Sequence, residues 1–258
     1  MTAYCWQLLV LFATGLVAGF VDSIAGGGGL ITIPVLLSFG LEPATALGTN
    51  KLQASFGSGS AAAHYAAAKA VSLAECARGF IYTLIGAGFG ALAVQHIDRD
   101  FLRRAIPLLL IAVGVYVLLK PDLGTQERAP RMKRAWFDLI FGLGLGFYDG
   151  LFGPGTGTFW AMACVLVLGF NLTRATAYTK VMNFASNISS LAFFLAGSKV
   201  LFVMGVTMGF GQLVGARIGS RMVIARGTKF IRPIFLAVVF ALTLKLLYDS
   251  YRSSVNLH

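Results

Sequence analysis

Charge is the scarcest commodity in this chain. Only 12% of its 258 residues are charged, with 10 acids against 21 lysines and arginines. Ordinary soluble domains carry roughly a quarter charged residues, so at half that level a globular surface of this size could not be solvated. No Lys or Arg precedes Lys51, which removes the basic n-region of a secretory signal, and no clear small-residue cleavage site follows the first apolar run. That run therefore reads as a retained span. Cys5, Cys76 and Cys164 are odd in number, scattered and without metal-type spacing, and they read as small apolar packing residues. No ATP-binding motif is present, which argues against a pump unless a separate subunit supplies the energy.

What fills the chain instead is apolar. Hydrophobic residues make up 57% of it and the mean hydropathy is +0.78. They come in long runs, Leu8–Val21, Phe101–Leu119 and Phe230–Tyr248, and runs of about 18 or more read as membrane spans. The expected fold is an all-α polytopic membrane protein in the lipid bilayer. The net charge of +11 falls mostly in short connections, where topology and anionic headgroups account for it and nucleic acid is not required.

The chain repeats itself. Gly19 to Gly29 (GFVDSIAGGGG) resembles Gly146 to Gly157 (GFYDGLFGPGTG), with one residue inserted. Further along, Gly40-Leu41 matches Gly169-Phe170, Lys51 matches Lys180, and Gly86–Val94 matches Gly215–Val223. The expected division is a first transmembrane repeat at 1–120, a basic connector at 121–134 and a second repeat at 135–258. Helical segments are expected at 5–22, 29–40, 44–68, 76–95 and 101–119, then at 136–151, 157–169, 173–197, 200–224 and 230–249. The short ones, Leu30–Phe39 and Thr158–Leu168, reach only about 15–18 Å at 1.5 Å per residue, against a hydrocarbon core about 30 Å thick. Each must be half of a re-entrant or broken element, kept inside the molecule.

Positive charge sets the relative orientation. The connector Lys120–Arg134 and the loop Arg217–Arg232 are rich in Lys and Arg and are expected in the cytoplasm. The first-half loop His96–Arg104 mixes Arg with Asp98 and Asp100 and is expected outside. Equivalent loops on opposite faces imply inverted repeats, with both chain ends outside.

The glycine breaks point to chemistry. A helix that begins inside a membrane leaves N–H groups unpaired at the positive end of its dipole, which attracts an anion. Gly26, Gly27, Gly28 and Gly29, and Gly153, Gly155 and Gly157, would let a ligand approach the backbone, with Thr156 and Thr158 adding hydroxyls. The competing reading is tight helix packing through small residues. Lys51 lies among Thr49, Asn50 and Gln53, and Lys180 among Thr179 and Asn183, with Asn187 one turn later. Buried lysines need partners: an anionic substrate is one, an acid is another, and snorkelling to the interface is a third escape. Asp22 and Asp149 are a second repeat-related pair, either proton-coupling or structural, the latter through salt bridges to Lys51 and Lys180. Neutralising Lys51 is expected to weaken anion binding more than folding.

No enzyme constellation is convincing. His64 reads as a hydrogen-bonded residue. Gly57-Ser58-Gly59 would need a histidine base on another helix, and His96 and His258 read as loop or tail residues. No metal site or cofactor is expected.

The stretch from Gly19 to Pro34, the run Ala46–Lys51 and the stretch Gly153–Thr158 resemble the TauE/SafE sulfite-exporter family, and the resemblance covers nearly the whole chain. With Lys51 and Lys180 in place, the chain is similar to the lysine-bearing subgroup of probable membrane transporters. The resemblance implies secondary transport of a small sulfur-containing anion, sulfite or an organosulfonate, across the bacterial inner membrane by a multi-pass protein. A homo-oligomer is compatible with it. A passive anion channel and a non-transporting assembly factor are the rival readings.

Overall fold

The computed structural model describes residues 2–98, 101, 108, 127–227 and 233. The expected spans at 101–119 and 230–249 lie outside the described residues apart from isolated positions, as do residues 120–126 of the connector, His258 and the side chain of Cys5. The described chain forms eight helices: α1 (Thr2–Ala25), α2 (Gly28–Ser38), α3 (Pro43–Ala67), α4 (Leu73–Gln95), α5 (Arg134–Leu151), α6 (Thr156–Val167), α7 (Leu172–Ala196) and α8 (Phe202–Arg226). Local chemistry sets their limits. Pro43 opens α3 with its φ already helical. Ser72 and Asn171 accept the amides of Glu75 and Arg174, capping α4 and α7. Gly40 and Gly169, both at positive φ, end the turns after α2 and α6.

Two sets of four helices follow the same order, long, short, long, long, and they exchange partners. The first helix of one set packs on the last of the other: α1 on α8, and α5 on α4. α3 and α7 pack on each other between these pairs, α3 also against α8 and α7 against α4. The outer pairs approach through glycine. A Cβ on Gly215 or Gly211 of α8 would strike the carbonyls of Leu16 or Phe12 on α1, and one on Gly86 or Gly90 would strike Leu143 or Phe147 on α5. The repeat Gly86–Val94 and Gly215–Val223 thus marks two matching helix contacts. Gly215→Ala should push α8 off α1 and cost about 1–3 kcal/mol, read as a lower melting temperature in detergent. Gly144→Ala on α5, with nothing within 4 Å, should leave it unchanged.

The helices have assignable ends. Ser72 and Glu75 at the start of α4, Asn171 before α7, Glu127 and Gly227 after α8 border one surface depression. At the other end Leu36 of α2 packs with Leu11 of α1, Ala46 of α3 and Met208 of α8. α4 therefore starts, and α8 finishes, at the same end. α2 turns back toward the end where α1 began, and Leu168 after α6 packs with Phe137 in the first turn of α5. Each short helix thus runs back toward the end where the helix before it began.

Polarity runs inside out. α1, α4, α5 and α8 expose Trp6, Phe12, Phe89, Trp136, Phe147, Phe202 and Phe210, while Lys51, Lys180, Asp149, Asn50 and Gln53 are buried. In water such an apolar surface would drive association; in lipid it is the expected exterior. Trp6–Ala25 and Leu73–Gln95 are long and apolar enough to cross a membrane. α3 and α7 have 25 residues each, but their buried polar residues lower their hydropathy. Cys76 and Cys164 are free and buried. His64 Nδ1 lies 2.9 Å from Ser220 Oγ.

Candidate functional site between two glycine breaks

α1 stops at Ala25 because Gly26 and Gly27 turn to φ 76° and 102°, and α6 is preceded by Gly153 at 92° and Gly155 at 80°. Residues with a Cβ rarely adopt these angles, so glycine makes both turns possible. The two turns touch. A Cβ on Gly26 would sit 2.7 Å from the carbonyl carbon of Gly157, and one on Gly157 2.8 Å from Gly26 Cα. The N-termini of α2 and α6, with their orphan amides and positive dipole ends, therefore meet inside the protein.

Four charges gather around that meeting point, paired crosswise between the two halves. Lys51 Nζ lies 2.7 Å from Asp149 Oδ1, and Lys180 Nζ lies 2.9 Å from Asp22 Oδ2. Both lysines are almost completely buried, at 1% and 0% exposure, so neither snorkels to the surface. Each has taken the acid partner that the sequence left open. Lys51 also donates to the Asp149 carbonyl oxygen at 2.5 Å. The Asp149 carboxylate accepts the Thr156 hydroxyl at 3.3 Å and the Ser186 hydroxyl. Asp22 Oδ1 accepts the Gly28 amide at 3.1 Å, at the start of α2. This pairing gives Lys51 a part in holding the fold, and it moves the expected effect of its loss toward folding.

A cavity of about 30 Å3 lies between the breaks, bordered by Asp22, Gly27, Gly28, Gly29, Asn50, Lys51, Asp149, Gly153, Gly155, Thr156, Gly157 and Asn183. That volume takes one or two waters. Other residues expected at the site stand behind its wall. Gly26 packs on Gly157, and Thr158 donates to the Ala25 carbonyl. Thr49 accepts the Leu201 amide, Gln53 donates to Asn50 Oδ1, and Thr179 donates to the Ala175 carbonyl. Lys180 reaches the site through Asp22. Tyr178 instead joins an aromatic cluster with Trp160 and Phe137, under the Arg134 guanidinium and bonded to Asp138.

Ala54, Asn187 and Gln212 also border the cavity and were not among the expected site residues, nor was Ser186. Gln212 carried a readable signal. It is an uncharged polar side chain in the apolar and glycine-rich first part of α8, where burial in a membrane interior implies a purpose. Asn187 donates to Ser58 Oγ at 3.2 Å. Ala54 gave no signal, because nothing in its chemistry distinguishes a cavity wall from a packed helix face.

The family model described as sulfite exporter TauE/SafE matches residues 11–246. The chain is 48% identical to the probable membrane transporter protein YfcA of Escherichia coli K12 over 246 residues, 95% of this chain and 91% of that one. It is 46% identical over 242 residues to a probable membrane transporter protein of Haemophilus influenzae, covering 94% and 95%. The probable membrane transporter protein YdhB of Bacillus subtilis is 25% identical over 222 residues, covering 83% and 88%. No solved structure matches. The chain belongs to the TauE/SafE family, and these relatives are named as membrane transporters and not as enzymes.

Proposed function

We propose that this member of the TauE/SafE family is a multi-pass inner-membrane secondary transporter for a small sulfur-containing oxyanion of the sulfite or organosulfonate class. It works by alternating access at the cavity between the glycine breaks. The observation that carries this reading is the meeting of two helix N-termini at one interior cavity, which Lys51 borders and Lys180 reaches through Asp22. Helix N-termini facing the membrane interior at matching places in two repeats are how transporters hold anionic groups. The amides of Gly27–Gly29, Gly155 and Gly157 and the side chains of Asn50 and Asn183 bind the oxyanion, and the Thr156 hydroxyl holds Asp149 beside it. Lys51 and Lys180 supply charge. Thr49, Gln53, Thr158 and Thr179 hold this inner wall in place.

Alternation rests on an inverted repeat, 1–120 against 135–258 about the connector 121–134. The opposite directions of α4 and α8, and the exchange of partners between the two helix sets, support it. α3 and α7 then cross the membrane through the interior, with α1–α2 and α5–α6 entering it from opposite sides. At about 30 Å3 the cavity has room for one or two waters, and loading an oxyanion requires one set of helices to move against the other.

Gly29→Ala tests the reading directly. Gly29 borders the cavity, yet a Cβ there would meet nothing closer than 3.6 Å. The variant should fold and melt like wild type while binding sulfite or methanesulfonate about tenfold more weakly. Unchanged anion affinity would remove the α2 N-terminus from the binding site. A channel is separated by flux, since a carrier saturates with anion concentration and shows anion–anion exchange.

A further inference from the structure

The two ion pairs match in sequence but not in surroundings. Asp149 is held from several sides: Lys51 Nζ bonds both its carboxylate and its backbone carbonyl, and the Thr156 and Ser186 hydroxyls complete the set. Asp22 accepts Lys180 Nζ on one oxygen and the Gly28 amide on the other. Its side chain is 14% exposed, against 6% for Asp149. One pair is a pin, and the other is held by fewer partners and lies closer to solvent.

Resting on the anion-transport reading above, we propose that Lys180–Asp22 is the exchangeable pair: the cargo displaces Asp22 from Lys180 Nζ and the Gly28 amide, and Asp22 then takes up one proton. A singly charged oxyanion therefore moves together with one proton.

The charge count gives the physical reason. Two ammonium and two carboxylate groups leave the empty site neutral. An oxyanion added alone would leave one buried negative charge uncompensated, which an apolar interior penalises strongly. A carboxylate deprived of its cation in such a place neutralises instead of staying charged. The step is a proton transfer only. The Asp22 carboxylate accepts a proton from water on the side to which the site is open. It returns that proton to water on the other side when the anion leaves and Lys180 closes on it again. The charged and titratable groups facing Asp22 are Lys180 from α7, Lys51 and Tyr65 from α3, and Asp149 from α5. α8 presents the neutral Gln212. Lys51 and Asp149 satisfy one another, and the Tyr65 hydroxyl donates to the Ser23 carbonyl. Asp22 is thus the acid left to respond. A dianion would need a second proton that Asp149, held by its own donors, is not placed to take, so the site selects singly charged oxyanions.

The test uses the purified full-length chain in liposomes, with radiolabelled methanesulfonate and sulfite as probes. With a gradient of about one pH unit, wild type should accumulate probe about tenfold on the alkaline side, with no response to membrane potential. Asp22→Asn should lose the accumulation and exchange anion more slowly than wild type, while Asp22→Glu should recover part of the accumulation. Asp149→Asn should instead lower the melting temperature, which separates the pin from the exchangeable pair. Accumulation by Asp22→Asn that still follows the pH gradient overturns the assignment, and so does saturable wild-type uptake indifferent to pH. Failure of folded wild type to move either probe overturns the transport reading itself and the assignment with it.

Discussion

Lys51→Met should lower the melting temperature of the detergent-purified protein sharply. Lys51 and Asp149 are nearly inaccessible and bonded at 2.7 Å, and the ammonium also ties the Asp149 backbone carbonyl. Removing one partner of a buried pair strands the other, typically at a cost of about 3–5 kcal/mol. Against a total stability of about 5–15 kcal/mol, that is a large share. The Thr156 and Ser186 hydroxyls remain to the carboxylate, and they temper the loss without replacing the cation. The informative comparison is the double variant Lys51→Met/Asp149→Asn. Removing both charges should restore part of the loss, because the stranded carboxylate is gone, and the cycle should show a coupling of about 0.5–3 kcal/mol. A Lys51→Met protein that melts with wild type would mean the pair contributes nothing to the fold.

Gly26→Ala should be comparably damaging for a different reason. Gly26 has φ 76° and its absent Cβ faces the Gly157 backbone at 2.7 Å. A residue with a Cβ in that conformation costs roughly 1–2 kcal/mol, and forcing atoms into a packed contact adds about 1–3 kcal/mol. Gly40→Ala separates the two effects, because Gly40 has φ 82° but nothing within 4 Å of the added carbon. It should show the conformational cost alone. Gly157→Ala should reproduce the contact cost from the opposite side, since its Cβ would meet Gly26 Cα at 2.8 Å. If Gly26→Ala and Gly40→Ala prove equal in melting temperature, the two breaks do not touch as described.

Much of this arrangement is legible in the sequence, because membrane burial writes it in large letters. The short helices declare themselves by length, and the structure places them at Gly28–Ser38 and Thr156–Val167. The glycine runs, the paired lysines and the paired aspartates stand out because charge and backbone freedom are rare in lipid. What sequence alone leaves open is pairing. Asp22 is as compatible with Lys51 as with Lys180 when only spacing is known, and helix neighbourhood does not decide it either: α1 packs more on α3 than on α7, and α5 packs on α7, yet each aspartate reaches the lysine of the other half. The same limit explains Thr49, Gln53 and Thr179. They neighbour the lysines in sequence, but a helix turns by about 100° per residue, so some neighbours of a cavity residue must point away from it. Gln212 is the reverse case, distant in sequence and brought to the cavity by the glycine contact between α8 and α1.

The interior anion site is tested most directly by thermal stabilisation of the purified protein across a panel of sulfite, methanesulfonate, sulfate and chloride. Wild type is compared with the double variant Lys180→Met/Asp22→Asn, which keeps the site neutral but removes one cation. A singly charged sulfur oxyanion should raise the melting temperature of wild type saturably, as expected for a ligand that binds only the folded state, and should do so far less in the variant. A well-folded wild type that no oxyanion stabilises, or a variant stabilised equally, would contradict an anion site between the glycine breaks.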